Sequence, residues 1–316
     1  QGAVLVVSLW ILIILVLLAI SVGRRVSIEL KLLRYHLNRS QAFYLALAGL
    51  ERIRYEKILD KNEYDYLNES WSNKLNLEHQ PYFKNFALGT GKFNVKYEYD
   101  ESKDKEPQIL YGMQDEQSKL NLNKLIHDDG IGVDSDARLA FVRLLKIIFA
   151  YDDAEAEKLV DRFIDWIDKD NEVYLAKNLP LDRIEELLMV DGFEAKMVNK
   201  LRDYVTIYGD GAININTAPK EILQAQGLSA ESAQDILNYR NGQDGEAATD
   251  DDRAIMNIDE LNNAELASIA ASRFTTKSQF YRIVSYGTVD KVTKSVATAI
   301  QINPGKSFKQ LHWYEE

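Results

Sequence analysis

Residues 3–23, AVLVVSLWILIILVLLAISVG, form an almost unbroken apolar run in which Ser8 is the main polar interruption. About 20 apolar residues at roughly 1.5 Å each span the ~30 Å hydrocarbon core of a bilayer, so the run predicts one membrane-crossing helix. No proline or glycine breaks the next stretch before Gly49, and its apolar residues fall at 26, 30, 33, 37, 44, 47/48, 55 and 58. That recurrence marks one helix face. The two stretches together predict a single helix of about 55 residues, roughly 80 Å long. Its first third lies in lipid and the rest is laid against a globular domain. A secretory signal core is shorter, about 7–15 residues, and ends at a cleavage site of small residues; here the run continues into an amphipathic helix. The chain opens on Gln1 rather than Met, which fits processing or trimming of its N-terminus.

Beyond the helix the pattern changes twice. Residues 61–90, rich in Asn, Glu and aromatics, predict loop with short helix. In 91–100 Phe93, Val95, Tyr97 and Tyr99 alternate with polar residues, the period of a half-buried strand. A second extended stretch covers 108–123, with 103–107 as the turn between them. From about 120 to 272 the signals are short amphipathic helices: 136–151, 153–168, 181–190, 194–205, 218–226, 229–240 and 258–274. Strand character returns in 280–284 and 296–302, around a turn near Asp290. A helical block thus sits between two pairs of strands. The chain therefore divides into a long N-terminal helix over 1–60 (transmembrane about 3–23), an α+β domain from 61–119 with 273–316, and an all-helical domain inserted over 120–272.

Two segments of the helical block share a layout of helix, glycine turn, helix: 184–209 around Asp191-Gly192-Phe193, and 220–242 around Gln226-Gly227-Leu228. This helix-hairpin-helix layout raises DNA binding. Nonspecific phosphate contact by such a turn uses GxG, whose backbone N–H groups meet the anion. Glu194 and Ser229 stand where the second glycine belongs, and Asp191, Glu231 and Asp235 lie nearby. Packed hairpins that offer a protein surface are the favoured reading.

Charge supports it. Residues 24–57 carry eight Lys/Arg against three Glu, and 1–23 carry none; with a net charge of −11, residues 58–316 hold −16. So acidic a body argues against nucleic acid along its general surface, while the basic helix beside the membrane suits anionic headgroups or acidic neighbours. There is no cysteine, which excludes disulfides and thiolate chemistry. The four histidines (36, 79, 127 and 312) form no metal-ligand spacing, and GxSxG, GxxxxGK[ST] and GxGxxG are missing. Gly89-Thr90-Gly91-Lys92 resembles part of a phosphate loop, but Phe86 replaces its first glycine. Nothing reads as an enzyme. Two oxygen-rich segments, 165–172 (Asp165, Asp168, Asp170, Asn171, Glu172) and 241–252, are candidate Ca²⁺ loops, although neither has the EF-hand spacing.

Several landmarks in order resemble one family. QGAVLVVSLW, DEQSKLNLNKL (115–125), FIDWIDKDNE (163–172), LDRIEELLMVDGF (181–193), LRDYVTIYGDGAININTAPKEIL (201–223) and SQFYRIVSYGTV (279–289) are similar to the minor pseudopilin K family of the type II secretion system. The resemblance implies an α+β fold with a pilin-like long N-terminal helix packed on an antiparallel sheet. A large all-helical domain of helix-hairpin-helix or SAM-like type is inserted between strands. It implies processing by a prepilin peptidase, with methylation, around Gly2 and Ala3. Major pseudopilins carry a glutamate at position five that meets a neighbour's N-terminal amine; here that position is Val7 if the chain matures at Ala3, or Leu5 if at Gln1. A carboxylate in an apolar filament core is costly unless paired, so an apolar residue suits a subunit capping the filament.

The implied function is that of a non-enzymatic minor pseudopilin that caps and initiates the periplasmic pseudopilus in a tip complex for protein export. It would sit in the bacterial inner membrane as a single-pass protein with its body in the periplasm. Its partners would be I- and J-type minor pseudopilins, the major pseudopilin, the prepilin peptidase, and an outer-membrane secretin or secreted proteins, with no nucleic acid expected. The expected partner-binding face of the helix is Val26, Leu30, Leu33, Leu37 and Tyr44. No cofactor is required. The family's calcium would fall on Asp165, Asp168, Asp170 and Glu172, where the loop from Glu172 to Leu181 is shortened. The alternative is a membrane-tethered helix-hairpin-helix DNA-binding protein of a competence or type IV pilus apparatus.

Overall fold

The computed structural model of the chain describes residues 2–76, 80–169, 176–269, 271–303, 305 and 307–315. α1 (Gly2–Leu59) is one continuous helix of 58 residues. Among the described residues it is the helix long and apolar enough to cross a membrane. The strands that follow are β1 (Phe86–Leu88), β2 (Gly91–Val95), β3 (Tyr97–Tyr99), β4 (Gln108–Leu110), β5 (Gln114–Asp115) and β6 (Leu120–Asn121). The helical block runs α2 (Ser135–Phe149), α3 (Asp153–Ile167) and α4 (Ala195–Leu201), then β7 (Val205–Thr206) and β8 (Ile213–Asn214). It continues with α5 (Lys220–Ala225), α6 (Ala230–Arg240) and α7 (Ala264–Ser268). The chain ends in β9 (Phe274–Thr275), β10 (Phe280–Val289), β11 (Val292–Ile302) and β12 (Phe308–Glu315).

The main sheet is antiparallel, in the order β1-β2-β10-β11-β12, with β5 also pairing β10. Alternation along β10 buries Tyr281, Ile283, Ser285, Gly287 and Val289 on the face that receives α1. β10 and β11 turn at Asp290, whose φ of 53° closes a tight hairpin near the expected position. Only part of the 108–123 stretch is strand; β4, β5 and β6 alternate with short 3-10 turns at Glu116–Ser118 and Leu122–Lys124. Gly89 and Thr90, read as a fragment of a phosphate loop, form the turn between β1 and β2. β12 was not foreseen, because FKQLHWYE alternates poorly between apolar and polar residues.

Among the described residues the apolar core forms three clusters. One gathers side chains between Leu120 and Phe274, another unites α1 with the main sheet, and a small one joins Leu67, Tyr97, Tyr99 and Leu110 to Ala247 and Ala248. The starts of α2 and α3, in the first cluster, are capped by aspartate side chains. Asp134 accepts from Asp136 and Ala137 N–H at α2, and Asp152 forms a capping box with Glu155 at α3. Segment 181–190, expected as helix, narrows to a 3-10 helix at Ile184–Met189.

α1 departs from the expectation. Its buried residues are Ala42, Leu45, Ala46, Gly49, Leu50, Ile53 and Lys57, so only the last third lies on the sheet. Residues 24–41 are exposed save for half-buried Asn38, rather than laid against a domain. The packed face is also not the apolar face read from periodicity, since Tyr44, Tyr55 and Ile58 point outward. Close approach explains this. A Cβ on Gly287 would collide with the Ala42 carbonyl and the Ala46 nitrogen, and one on Gly49 with Phe93 and Ser285. The contact runs along small residues, which a hydrophobicity pattern under-weights.

Candidate functional site

At about 100° per residue, Val26, Leu30, Leu33, Leu37 and Tyr44 fall within one narrow arc of α1. Ala42, Ala46, Gly49 and Ile53 lie roughly half a turn away, so the expected partner face points away from the chain's own sheet. These five side chains are 48–66% exposed. A second exposed stripe, Ile28, Leu32 and Tyr35, continues the sheet-facing side past the end of the sheet. Residues 24–41 therefore extend about 27 Å beyond the docked segment, with apolar side chains on two sides. Monomeric soluble proteins rarely carry an apolar surface of that length. The Arg25–Glu29 ion pair, 3.0 Å and exposed, marks the solvated end of this segment. Before it, Gly2, Ala3, Leu5 and Val7 open the membrane-length helix, all exposed.

The helix is pinned at its far end by a buried polar network that periodicity did not reveal. The Lys57 ammonium reaches Asp60 (2.8 Å) and Asp65 and lies over the rings of Trp71 (4.6 Å) and Tyr281 (5.2 Å). Burial alone would lower its pKa; Asp65 and Asp60 outweigh that and hold it above the usual lysine value. The second Asp65 oxygen accepts from Ser278 N–H (2.7 Å) and the Tyr281 hydroxyl (3.0 Å). Glu69 accepts from Asn62 and from the Trp71 indole, and burial pushes its pKa to about 7. Oxygens of Asp60, Asp65 and Glu69 lie within 4.8 Å of one another, as a metal cluster would require, but the Lys57 ammonium and neutral donors already fill them. The available signal was one lysine on an otherwise apolar helix side.

The same network ties the helical block to the frame. Asn214 on β8 donates to the Asp65 carbonyl (3.1 Å) and the Asp115 carboxylate (3.0 Å), and Thr217 and Ser278 hydroxyls each meet Asp115 at 2.6 Å. Burial pushes Asp115 to about 6. Next to it the Arg282 guanidinium of β10 meets Glu116 at 2.6 Å, and Thr206 of β7 donates to the other Glu116 oxygen. Burial works to raise Glu116, yet Arg282 and Lys119 hold it below the usual glutamate range. Satisfied buried networks of this kind fix geometry more than they add stability.

The glycine turns are arranged against phosphate binding. Gly192 (φ 100°) and Gly227 (φ 113°) both adopt the left-handed backbone the turns need. At the first, Arg162 pairs with Asp191 (3.0 Å) and donates to its carbonyl, so the local cation is engaged. At the second, Ser229 N–H, which opens α6, donates to the Glu265 carboxylate at 2.8 Å. That backbone bond heads the causes holding Glu265 below the usual glutamate range. The chain's own anion thus occupies the position a phosphate would take.

Of the calcium residues, Asp165 is exposed on α3 and Asp168 is buried at its C-terminal cap, its N–H donating to the Ile164 carbonyl. Asp170 and Glu172, with Asn171, lie outside the described residues. In the second acidic loop Asp251 accepts from Gln243 and Asp244 N–H, and Asp252 from Ala248 N–H. Those carboxylates serve the loop's own backbone.

Residues 118–210 match the family model described as type II secretion system (T2SS), protein K. No curated protein matches the sequence. Among solved structures, the chain is similar to a chain of the GspK-GspI-GspJ complex from the enterotoxigenic Escherichia coli Type 2 Secretion System. The TM-score is 0.64 at 17% identity, over 90% of this chain and 98% of that one. The matched region, 118–210, covers the first part of the helical block, and the long helix, antiparallel sheet and helical block share the fold of that solved chain.

Proposed function

We propose that this chain is a minor pseudopilin of a type II secretion system that assembles with I- and J-type minor pseudopilins to cap and initiate the pseudopilus. The observation that carries this reading is the stripe of Val26, Leu30, Leu33, Leu37 and Tyr44, exposed on a helix that its own body leaves uncovered and aimed away from the sheet. Neighbouring helices of like construction would bury that stripe. The complex named for the similar solved chain supplies the partner types. The apolar residues at Leu5 and Val7 leave no carboxylate to be neutralised at a filament end. The membrane-length part of α1 anchors the protein in the inner membrane, and the acidic body lies in the periplasm. The role is one of assembly and requires no catalytic group.

The test replaces Leu30 and Leu33 by Asp in the full chain and follows co-purification with the I- and J-type partners. Both side chains are exposed, so the isolated protein keeps its melting temperature while complex formation and secretion are lost. Unchanged co-purification and unchanged secretion would refute the assignment.

A further inference from the structure

β12 ends the main sheet, and among the described residues no backbone hydrogen bond reaches it from outside that sheet. It pairs with β11 on one side only, regularly from His312 to Glu315 after a bulge that isolates Leu311. Its other side meets no further strand among the described residues, and such a sheet edge is the template onto which an extended segment adds. Exposed edges are commonly guarded by charge or irregularity; here Lys309 and the bulge guard the first half, while the second half carries only Glu315 at its end, where it accepts from the Trp313 indole.

A cleft of about 460 Å³ opens beside the regular half, on the sheet face opposite α1. Its floor is Arg282, Ala297, Ala299 and His312, its mouth is at Tyr314, and its wall is the 182–185 segment with Arg202 and Tyr208. Arg282 is paired with Glu116 (2.6 Å) and Arg202 with Glu185 (2.8 Å). Asp182, on the same wall, is paired with Lys177 (2.9 Å). Arg183 has no carboxylate partner among the described residues and is exposed. With Arg282, Arg202 and Asp182 each held in an ion pair, Arg183 is the charge left over, a local positive site on a body that carries −16 over residues 58–316.

Strand addition and charge point to one occupant. Every second side chain of a strand added about 4.8 Å outside β12 faces the cleft, where carboxylates meet Arg183 and aromatic or aliphatic groups meet Tyr208 and Tyr314. We propose that the β12 edge and its basic cleft bind an extended, acidic segment of a partner protein by β-strand addition. This surface is separate from the α1 stripe and stands whether or not that stripe assembles a tip.

The test uses the detergent-solubilised full chain and three fluorescent nine-residue peptides: one alternating Glu with Val, one alternating Lys with Val, and the acidic one with Pro at every Val position. Anisotropy is followed at two salt concentrations. The acidic peptide is expected to bind, more weakly at high salt, and to lose at least tenfold in affinity to Arg183→Glu. That variant alters an exposed side chain and leaves the melting temperature unchanged. Binding should protect the backbone amides of residues 308–315 from hydrogen exchange. Equal binding of acidic and basic peptides, or no effect of Arg183→Glu, would overturn the charge argument. Equal binding of the proline peptide, or no protection at β12, would overturn strand addition, and no binding at millimolar peptide would overturn the proposal entirely.

Discussion

Replacing Gly287 by Ala tests the seating of α1 on the sheet. The new Cβ would meet the Ala46 nitrogen at 2.5 Å and the Leu45 Cβ at 2.9 Å, and would overlap the Ala42 carbonyl oxygen. Such contacts are ordinarily met beyond about 3.4 Å, so the helix must retreat by about 1 Å at this crossing. Two of the three opposing atoms are backbone of a rigid helix, so no rotamer change relieves the clash. The retreat loosens the contacts of Ala42, Leu45, Ala46 and Leu50 together. Overpacking of this kind costs about 1–3 kcal/mol, and opposition by backbone puts Gly287→Ala at the upper end. At roughly 2–4 °C per kcal/mol for a body of this size, the melting temperature should fall by about 6–12 °C. Thermal unfolding of the detergent-solubilised full chain, followed by near-UV circular dichroism, measures it. A fall below about 2 °C would refute the argument that helix and sheet touch backbone to backbone there.

Three further outcomes follow from the same packing. Gly49→Ala should cost less, because its new Cβ meets the Ser285 and Phe93 side chains and Ala gains up to about 1 kcal/mol of helix propensity. Adding Ser285→Ala, which removes an oxygen without a hydrogen-bond partner, should recover part of the loss in a double-mutant cycle; simple additivity would argue against contact. Lys57→Met leaves Asp65 charged and buried without its cation, a loss of about 3–5 kcal/mol; denaturant unfolding should show Lys57→Met combined with Asp65→Asn to be milder than Lys57→Met alone. Glu69 titrates near 7 in the fold against 4.5 when unfolded, so between those values the native state binds more protons and its contribution to stability falls as pH rises. Glu69→Gln, read as melting temperature against pH from 4.5 to 7.5, should flatten that decline; an unchanged slope would assign it to Asp115 and Asp252, whose pKa values burial also raises, to about 6.

The sequence by itself determined what depends on neighbours along the chain. The apolar run of 3–23 and the lack of glycine or proline before Gly49 are local, and α1 follows from them. Asp134 and Asp152 cap α2 and α3 for the same reason, and Asp290 turns β10 into β11. The apolar stripe from Val26 to Tyr44 was legible because exposed side chains keep the helix period whatever else the fold does. Which side of α1 meets the sheet was decided only in three dimensions, because that contact depends on Gly287, more than two hundred residues away, lacking a side chain. The network of Lys57, Asp65, Asp115, Asn214 and Ser278 was equally hidden: each residue is an ordinary polar position until folding removes water and leaves the others as its partners. The β12 edge belongs with these, since its cleft exists only where the 182–185 segment is folded back over the sheet. Helical and turn periods are written in consecutive residues, whereas close approach and burial of charge are properties of pairs that the chain brings together from a distance.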